Sequence, residues 1–280
     1  MQHETGTFTG RGGLTLFRQA WLPDGPPRAA LINLHGLGDH GSLYPMLPDY
    51  FLPRGVAVHA FDLRGHGRSE GQRAYLDDWR DYSGDLATFV GLVTAAAGRR
   101  PFVLGHSLGG LIVLDSALEA GRRLAGVIAA APALGEVGVP RVLMAAGRVL
   151  SRIWPRFSMR TGMDLSALSR DPEARRVVLD DPLFHRVGTA RLSTEVVAAI
   201  ERVQRLAPSL AIPVLLLHGG ADRMVSPEGT RKFFARLAVA DRELIEYPEA
   251  YHALLADLDS PSVLNDLARW IDARAGRDSP

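Results

Sequence analysis

The residues best placed to do chemistry lie in Gly105-His106-Ser107-Leu108-Gly109, a Gly-x-Ser-x-Gly pattern. An apolar run, Pro101–Leu104, precedes it and a helical pattern, Leu108–Ala120, follows, which is the strand–turn–helix setting such a serine requires. On so tight a turn the serine backbone is strained, small neighbours let the chain pass, and the hydroxyl projects above a sheet. The start of the helix adds unpaired N–H groups and a positive dipole end beside it. The chemistry implied is attack by Ser107 on a carbonyl carbon. A chance match is the bland alternative in a chain with 29 glycines, and the flanking elements weigh against it.

Attack of this kind needs donors for the developing oxyanion, a base for the serine proton and an acid to orient the base. His35-Gly36-Leu37-Gly38 follows directly on the apolar run Ala29–Leu34. The expected oxyanion hole is the N–H of Leu37 with the N–H of Leu108, each contributing about 3 kcal/mol in the transition state. Nine histidines compete as base. Catalytic groups of a doubly wound sheet lie past the C-terminal ends of strands. That removes His59, inside a strand, and His3, near the terminus. His106 sits within the elbow, expected to point away from Ser107, and His35 is expected to support its own loop. His218 ends a strand but is followed at once by Gly-Gly-Ala-Asp. His252 lies five residues past the last apolar run and is the expected base. Asp222, past a strand and between serine and histidine, is the expected acid, ahead of Asp241 and Asp257. It would hold the neutral tautomer of His252 and stabilise the imidazolium.

The elements that must position these groups alternate along the chain. Leu14–Leu22 reads as an early antiparallel strand near a sheet edge. Ala29–Leu34, Val56–Phe61, Pro101–Leu104, Ala125–Ala131, Pro213–Leu217 and Glu243–Tyr247 read as buried strands. Leu76–Ala97, Leu108–Ala120 and Val263–Ala273 read as helices, so the sheet is mostly parallel with helices on both faces. The alternation fails between Leu134 and Ala207, where only helical patterns broken by Pro140, Pro155, Pro172 and Pro182 appear. Such an insertion is a candidate lid.

Within it Val139–Trp154 is amphipathic, with Val142, Ala146, Val149, Leu150 and Ile153 on one face. With Leu37, these five are the expected substrate-binding residues. Over 136–170 six arginines stand against Glu136 and Asp164, a local charge of +4. One reading packs the apolar face on the core with arginines in water. The other sets the lid transiently on an anionic membrane surface to collect lipid.

Composition narrows the classes. With 280 residues, 46% of them hydrophobic and 22% charged, the chain can bury a large core and is not disordered by composition. A net charge of +1 gives no general pull toward nucleic acid. The absence of cysteine excludes disulfides, thiolate metal sites and a cysteine nucleophile. No secretory signal and no run of 18 apolar residues is present, so the expectation is a soluble cytoplasmic protein. Asp62, His66 and Glu70, in Asp62-Leu-Arg-Gly-His-Gly-Arg-Ser-Glu-Gly71, invite a metal reading. Without a partner cluster at metal spacing, they read instead as a turn whose Asp and Ser side chains bind its own backbone.

His35-Gly-Leu-Gly, Asp62…Gly65-His-Gly-x-Ser-Glu-Gly, Gly105-His-Ser-Leu-Gly-Gly110, His218-Gly-x-Ala-Asp222 and Tyr251-His252 together resemble one group of α/β-hydrolases. This is the monoacylglycerol lipase and lysophospholipase-like group, which takes in proteins described as serine aminopeptidases. The resemblance runs from about residue 5 to 275 and covers the lid interval least. It implies a single α/β domain over 1–280, with an eight-stranded mostly parallel sheet and a helical lid at about 135–207. It further implies a Ser107–Asp222–His252 triad, oxyanion donors at Leu37 and Leu108, no cofactor or metal, and a single-chain lipid ester such as a monoglyceride as substrate. A short-chain esterase, lactonase or perhydrolase with the same triad is the nearest alternative. A non-catalytic ligand-binding protein on the same fold is the alternative from another class. A haloalkane dehalogenase would need a carboxylate at position 107.

Overall fold

Every residue of β3 (Ala29–Leu34), β4 (Val56–Phe61), β5 (Phe102–His106), β6 (Gly126–Ala130) and β9 (Val214–Gly219) is buried. In β3, Ala30, Ile32 and Leu34 pack on one face of the sheet while Ala29 and Leu31 pack on the other. Alternate residues thus find an apolar partner on both sides, which is why the runs are continuous rather than alternating. A computed structural model describes residues 2–135 and 141–275, with the side chains of Ala120 and residues 141–144 outside that description.

The main sheet has eight strands in the order β1-β2-β4-β3-β5-β6-β9-β10, where β1 is Gln2–Thr9, β2 is Thr15–Leu22 and β10 is Arg242–Tyr247. β1 and β2 pair antiparallel, as do β2 and β4, and the remaining pairs are parallel. The fold class is the α/β-hydrolase arrangement expected from the sequence. The first strand is the exception. The segment at 2–9 carries few large apolar side chains and does not read as a strand, yet it pairs with β2 along its whole length. Only Phe8, against Phe61 and Phe89, anchors its end in the core.

Helices α2 (Arg80–Ala97), α3 (Leu108–Ala120) and α7 (Pro227–Arg236) cover one face, through Leu86, Phe89, Leu111, Leu114 and Phe233. α1 (Met46–Phe51) and α8 (Ser260–Asp272) cover the other, through Phe51, Leu267 and Trp270. β3 pairs with β4 on one side and with β5 on the other. The strand order therefore reverses at β3, and the crevice past the C-terminal ends of β3 and β5 is where this kind of sheet places ligands.

The interval between β6 and β9 holds α4 (Arg141–Ile153), α5 (Pro172–Asp180) and α6 (Ala190–Leu206). It also holds a short antiparallel ribbon of β7 (Ser158–Arg160) and β8 (Val187–Thr189), which corrects the all-helical expectation. Three residues per strand are too few for periodicity to register. α6 is tied to the core by Arg202, which grips the buried Asp115 with two hydrogen bonds of 2.8 and 2.6 Å.

Candidate active site

Ser107 is held between β5 and α3 with φ 54° and ψ −115°, a left-handed conformation that a non-glycine residue rarely adopts. Its N–H donates to the carbonyl of Ala130 (3.0 Å), and its own carbonyl accepts from Leu111 and Ala133 (3.1 and 3.0 Å). The turn survives because Gly109 has no side chain: a Cβ there would stand 2.3 Å from the Leu34 carbonyl oxygen and 2.6 Å from that of His35. Those same contacts bring α3 onto the end of β3, so the elbow and the loop 35–38 meet at the strand-order reversal.

Leu108 opens α3, so its N–H is among those an α-helix leaves without an internal partner. Leu37 borders the same cavities as Ser107. His35 supports this loop. Its Nε2 accepts from the Leu63 N–H (2.9 Å) and its Nδ1 donates to the Gly36 carbonyl (2.8 Å). Burial holds it below the usual histidine pKa.

Asp222 and His252 come from the loops after β9 and β10. His252 Nδ1 donates to Asp222 Oδ2 at 2.7 Å, and both residues are buried. Asp222 Oδ1 accepts the N–H groups of Met224 and Val225 (2.8 and 2.9 Å). Burial pushes the Asp222 carboxyl up, but hydrogen bonds from His218 and His252 outweigh it and hold the group well below the usual carboxylate range. The rival acids serve elsewhere. Asp241 pairs with Arg274. Asp257 accepts from the N–H of Tyr251 (2.6 Å) and from Arg170, which fixes the loop carrying His252.

His106 does not stay clear of the site. Its ring lies 4.9 Å from that of His252, its Nε2 faces the His252 carbonyl oxygen at 3.2 Å, and its Nδ1 faces the Tyr44 hydroxyl at 3.2 Å. Burial and the neighbouring His252 lower its pKa to about 3, so it is neutral under working conditions. The hydroxyl of Tyr44 also donates to Asp39 at 2.5 Å.

Two cavities meet at Ser107 and His252, one of about 660 Å³ and one of about 80 Å³. Met163 and Met224, which sequence reasoning did not single out, border both. The small cavity is closed by apolar side chains that include Leu43, Leu165 and Leu168. The large one runs between α6 and the interval around 147–164, with Leu192, Val196 and Val197 on its wall.

The substrate-binding set expected on α4 is corrected here. Val149 is 55% exposed and Ile153 78%, and Ala146 is exposed as well. Leu150 is half-buried but borders neither cavity, while the side chain of Val142 lies outside the described residues. α4 packs through Gly147 and Ser151, whose hydroxyl bonds that of Thr194 on α6 at 2.9 Å, and Gly147 and Arg148 reach the large cavity. Ala146, Val149 and Ile153 face solvent. Period alone identifies the stripe but not what it faces.

The turn at 62–71 is structural. Asp62 accepts from the N–H groups of Gly41 and Arg68 (2.8 and 2.9 Å). Ser69 donates to the Asp62 carbonyl and accepts from the Phe17 N–H, and Glu70 accepts from the Thr15 N–H at 2.7 Å. Among the described residues no group of three or more carboxylates and imidazoles could hold a metal ion, and no helix is long and apolar enough to cross a membrane.

The sheet topology, the serine elbow between β5 and α3, and the loops after β9 and β10 define an α/β-hydrolase. Comparison with known proteins narrows this. A model of the serine aminopeptidase S33 family matches residues 25–259, and the chain belongs to that family. It is 32% identical to the monoacylglycerol lipase of Mycolicibacterium smegmatis over 95% of both chains. It is 31% identical to human monoglyceride lipase over 96% of this chain and 91% of that one. The crystal structure of Paleococcus ferrophilus monoacylglycerol lipase superposes with a TM-score of 0.86 at 33% identity, covering 92% of this chain and 99% of that one.

Proposed function

We propose that the protein is a serine carboxylic-ester hydrolase of the monoacylglycerol lipase type, with Ser107 as nucleophile, His252 as base and Asp222 as the orienting acid. The observation that carries the assignment is the 2.7 Å bond from His252 Nδ1 to an Asp222 carboxylate kept ionised, with His252 and Ser107 bordering the same cavities. Ser107 Oγ attacks the ester carbonyl as His252 Nε2 takes its proton, and the N–H groups of Leu37 and Leu108 hold the oxyanion. The imidazolium then protonates the departing alcohol, leaving an acyl-serine. Water deprotonated by His252 releases the acid and restores the hydroxyl.

The large cavity favours a lipid acyl chain over an acetyl group, because sites of roughly 300–1,000 Å³ accommodate drug-sized ligands. Its leucine and valine wall suits hydrocarbon. Relatives named monoacylglycerol or monoglyceride lipase over nearly the whole chain support the same substrate class.

The outward stripe of α4 supports a second element of this proposal. Val149, Ile153 and Trp154 are exposed together, with the exposed Arg152 beside them. Exposed apolar side chains with an arginine beside them suit the surface of an anionic bilayer, where Val149, Ile153 and Trp154 would dip among the acyl chains and Arg152 would meet a phosphate. The contact would be peripheral and transient.

Hydrolysis of p-nitrophenyl esters from two to sixteen carbons and of 1-monoacylglycerols, by wild type and Ser107→Ala, tests the assignment. The expected result is activity that peaks at medium or long chains, extends to monoacylglycerols, and falls by roughly a millionfold in the variant. Cleavage of acetate and butyrate esters alone would keep the serine chemistry and remove the lipid substrate. Equal inertness of both proteins on every ester would remove the hydrolase reading.

A further inference from the structure

We propose that His218 is a positioning residue for this site, an imidazole that donates its Nε2–H toward the Asp222 carboxylate and so sets how strongly that carboxylate holds His252. The inference rests on the reading of Asp222 and His252 as acid and base.

Its basis is a proton count at a fully buried side chain. His218 lies on β9, four residues before Asp222. Its Nε2 faces the Val225 carbonyl oxygen at 3.1 Å and Asp222 Oδ2 at 3.3 Å. Both partners only accept, so the ring proton is on Nε2, shared between them as a three-centre bond. Nδ1 is then an acceptor, and the Thr230 hydroxyl of α7, 2.8 Å away, donates to it. Thr230 is itself fully buried and satisfies the second ring nitrogen. Oδ2 of Asp222 therefore receives two imidazole N–H groups and Oδ1 two backbone N–H groups, those of Met224 and Val225.

Such a carboxylate has no freedom to turn from His252. It is also a weaker partner for the imidazolium than one with a single imidazole donor, because part of its charge already faces His218. His218 thus sets the orientation of Asp222 and the strength of its hold on His252. The other charged and titratable groups around the pair come from neighbouring elements. His106 of β5 lies tilted against His252 and stays neutral down to about pH 3. Glu246 of β10 lies opposite His218 in the sheet register and is held ionised by Arg231 of α7 at 2.7 Å. Arg223, next to Asp222, lies over the Tyr251 ring.

The test is the pH profile of kcat/KM for a soluble p-nitrophenyl ester with wild type, His218→Gln and His218→Phe, with the thermal midpoint of each. In His218→Phe the carboxylate loses its second imidazole donor. The acid limb should rise by about half a pH unit or more, and kcat should fall roughly tenfold with KM within about twofold. The glutamine amide can replace the Nε2–H, so His218→Gln should keep the wild-type limb and more than about a third of kcat. If His218→Phe does not fold, His218→Leu carries the test. It removes the Nε2–H with a smaller apolar side chain and should move the limb in the same direction. An unmoved limb in whichever of His218→Phe and His218→Leu folds overturns the proposal. So does equal loss of kcat in the Gln and Phe variants, which marks a packing role. Failure of wild type to cleave any ester would strike the acid and base reading instead.

Discussion

The strand-end loops and the interval between β6 and β9 face each other across Ser107, and they are held in different ways. On the sheet side each functional group is tied several times over. Ser107 has three backbone hydrogen bonds, Asp222 accepts from two backbone N–H groups and from His252, and His35 is bonded through both ring nitrogens. The opposite wall is joined by scattered ties: Arg202 to Asp115, the Thr189 hydroxyl to the Ala74 carbonyl, the His185 N–H to the Gly38 carbonyl and the Ala253 N–H to the Leu168 carbonyl. One of its helices turns its apolar stripe to water. Chemistry that fails with a displacement of about 1 Å belongs on the first kind of wall, and choice of substrate can reside on the second.

The largest effect that would sharpen this contrast is at the acid. Asp222→Asn should lower kcat by about ten-thousandfold while altering KM little, because an amide favours the wrong tautomer of His252. A loss below about a hundredfold in steady-state ester hydrolysis would show that the sheet-side wall is less committed to one geometry than its bonding indicates.

Next is the elbow itself. Gly109→Ala should destabilise the protein by about 2–3 kcal/mol in denaturant titration, since the new Cβ would meet two backbone carbonyls that cannot move aside. A stability change within about 0.5 kcal/mol would mean that the turn relaxes freely.

Acid stability follows from the buried histidines of the same wall. Burial lowers His59 from 6.5 to about 4 and His106 from 6.5 to about 3. The folded protein therefore binds fewer protons than the unfolded chain below pH 6.5. This stability is complete above that value and is lost as pH falls through 4 and 3. The Asp222 shift has the same sign, being lost at still lower pH. The thermal midpoint should drop steadily from pH 6.5 to 4 in wild type and less steeply in His59→Gln. Parallel slopes would remove His59 from the account.

The smallest expected effect is on the other wall. Val149→Ser with Ile153→Ser should leave hydrolysis of soluble short-chain esters within about twofold, but should lower turnover of monoacylglycerol in anionic vesicles by about tenfold through weaker surface binding. Equal activity on both forms of substrate would leave the stripe without a role at the membrane.

Much of the sheet side was legible in advance because its signals are local. A continuous apolar run of five or six residues reads as a doubly covered strand, and a Gly-x-Ser-x-Gly between strand and helix reads as an elbow. Position past strand ends singles out Ser107, Asp222 and His252, and the 2.7 Å bond between the last two joins loops whose meeting no local pattern records. What escaped notice depends on contacts distant in sequence. β1 has little apolar patterning and exists because β2 offers it a complete edge. His106 meets His252 only when the loop after β10 comes against β5. His218 was set aside as a base, and its bond to Thr230 appears only when α7 packs on β9.

By itself the sequence determined the class of sheet, the strand–turn–helix setting of Ser107 and the placing of Asp222 and His252 past strand ends, because period, turn chemistry and strand-end placement act within a few residues. Only the tertiary structure decided that α4 sits on α6 through Gly147 and Ser151 and turns Val149 and Ile153 outward. It also decided that two cavities of very different size open at Ser107. An amphipathic stripe records that one side of a helix is apolar. Whether that side meets the core, a substrate or a membrane depends on what the rest of the chain brings against it.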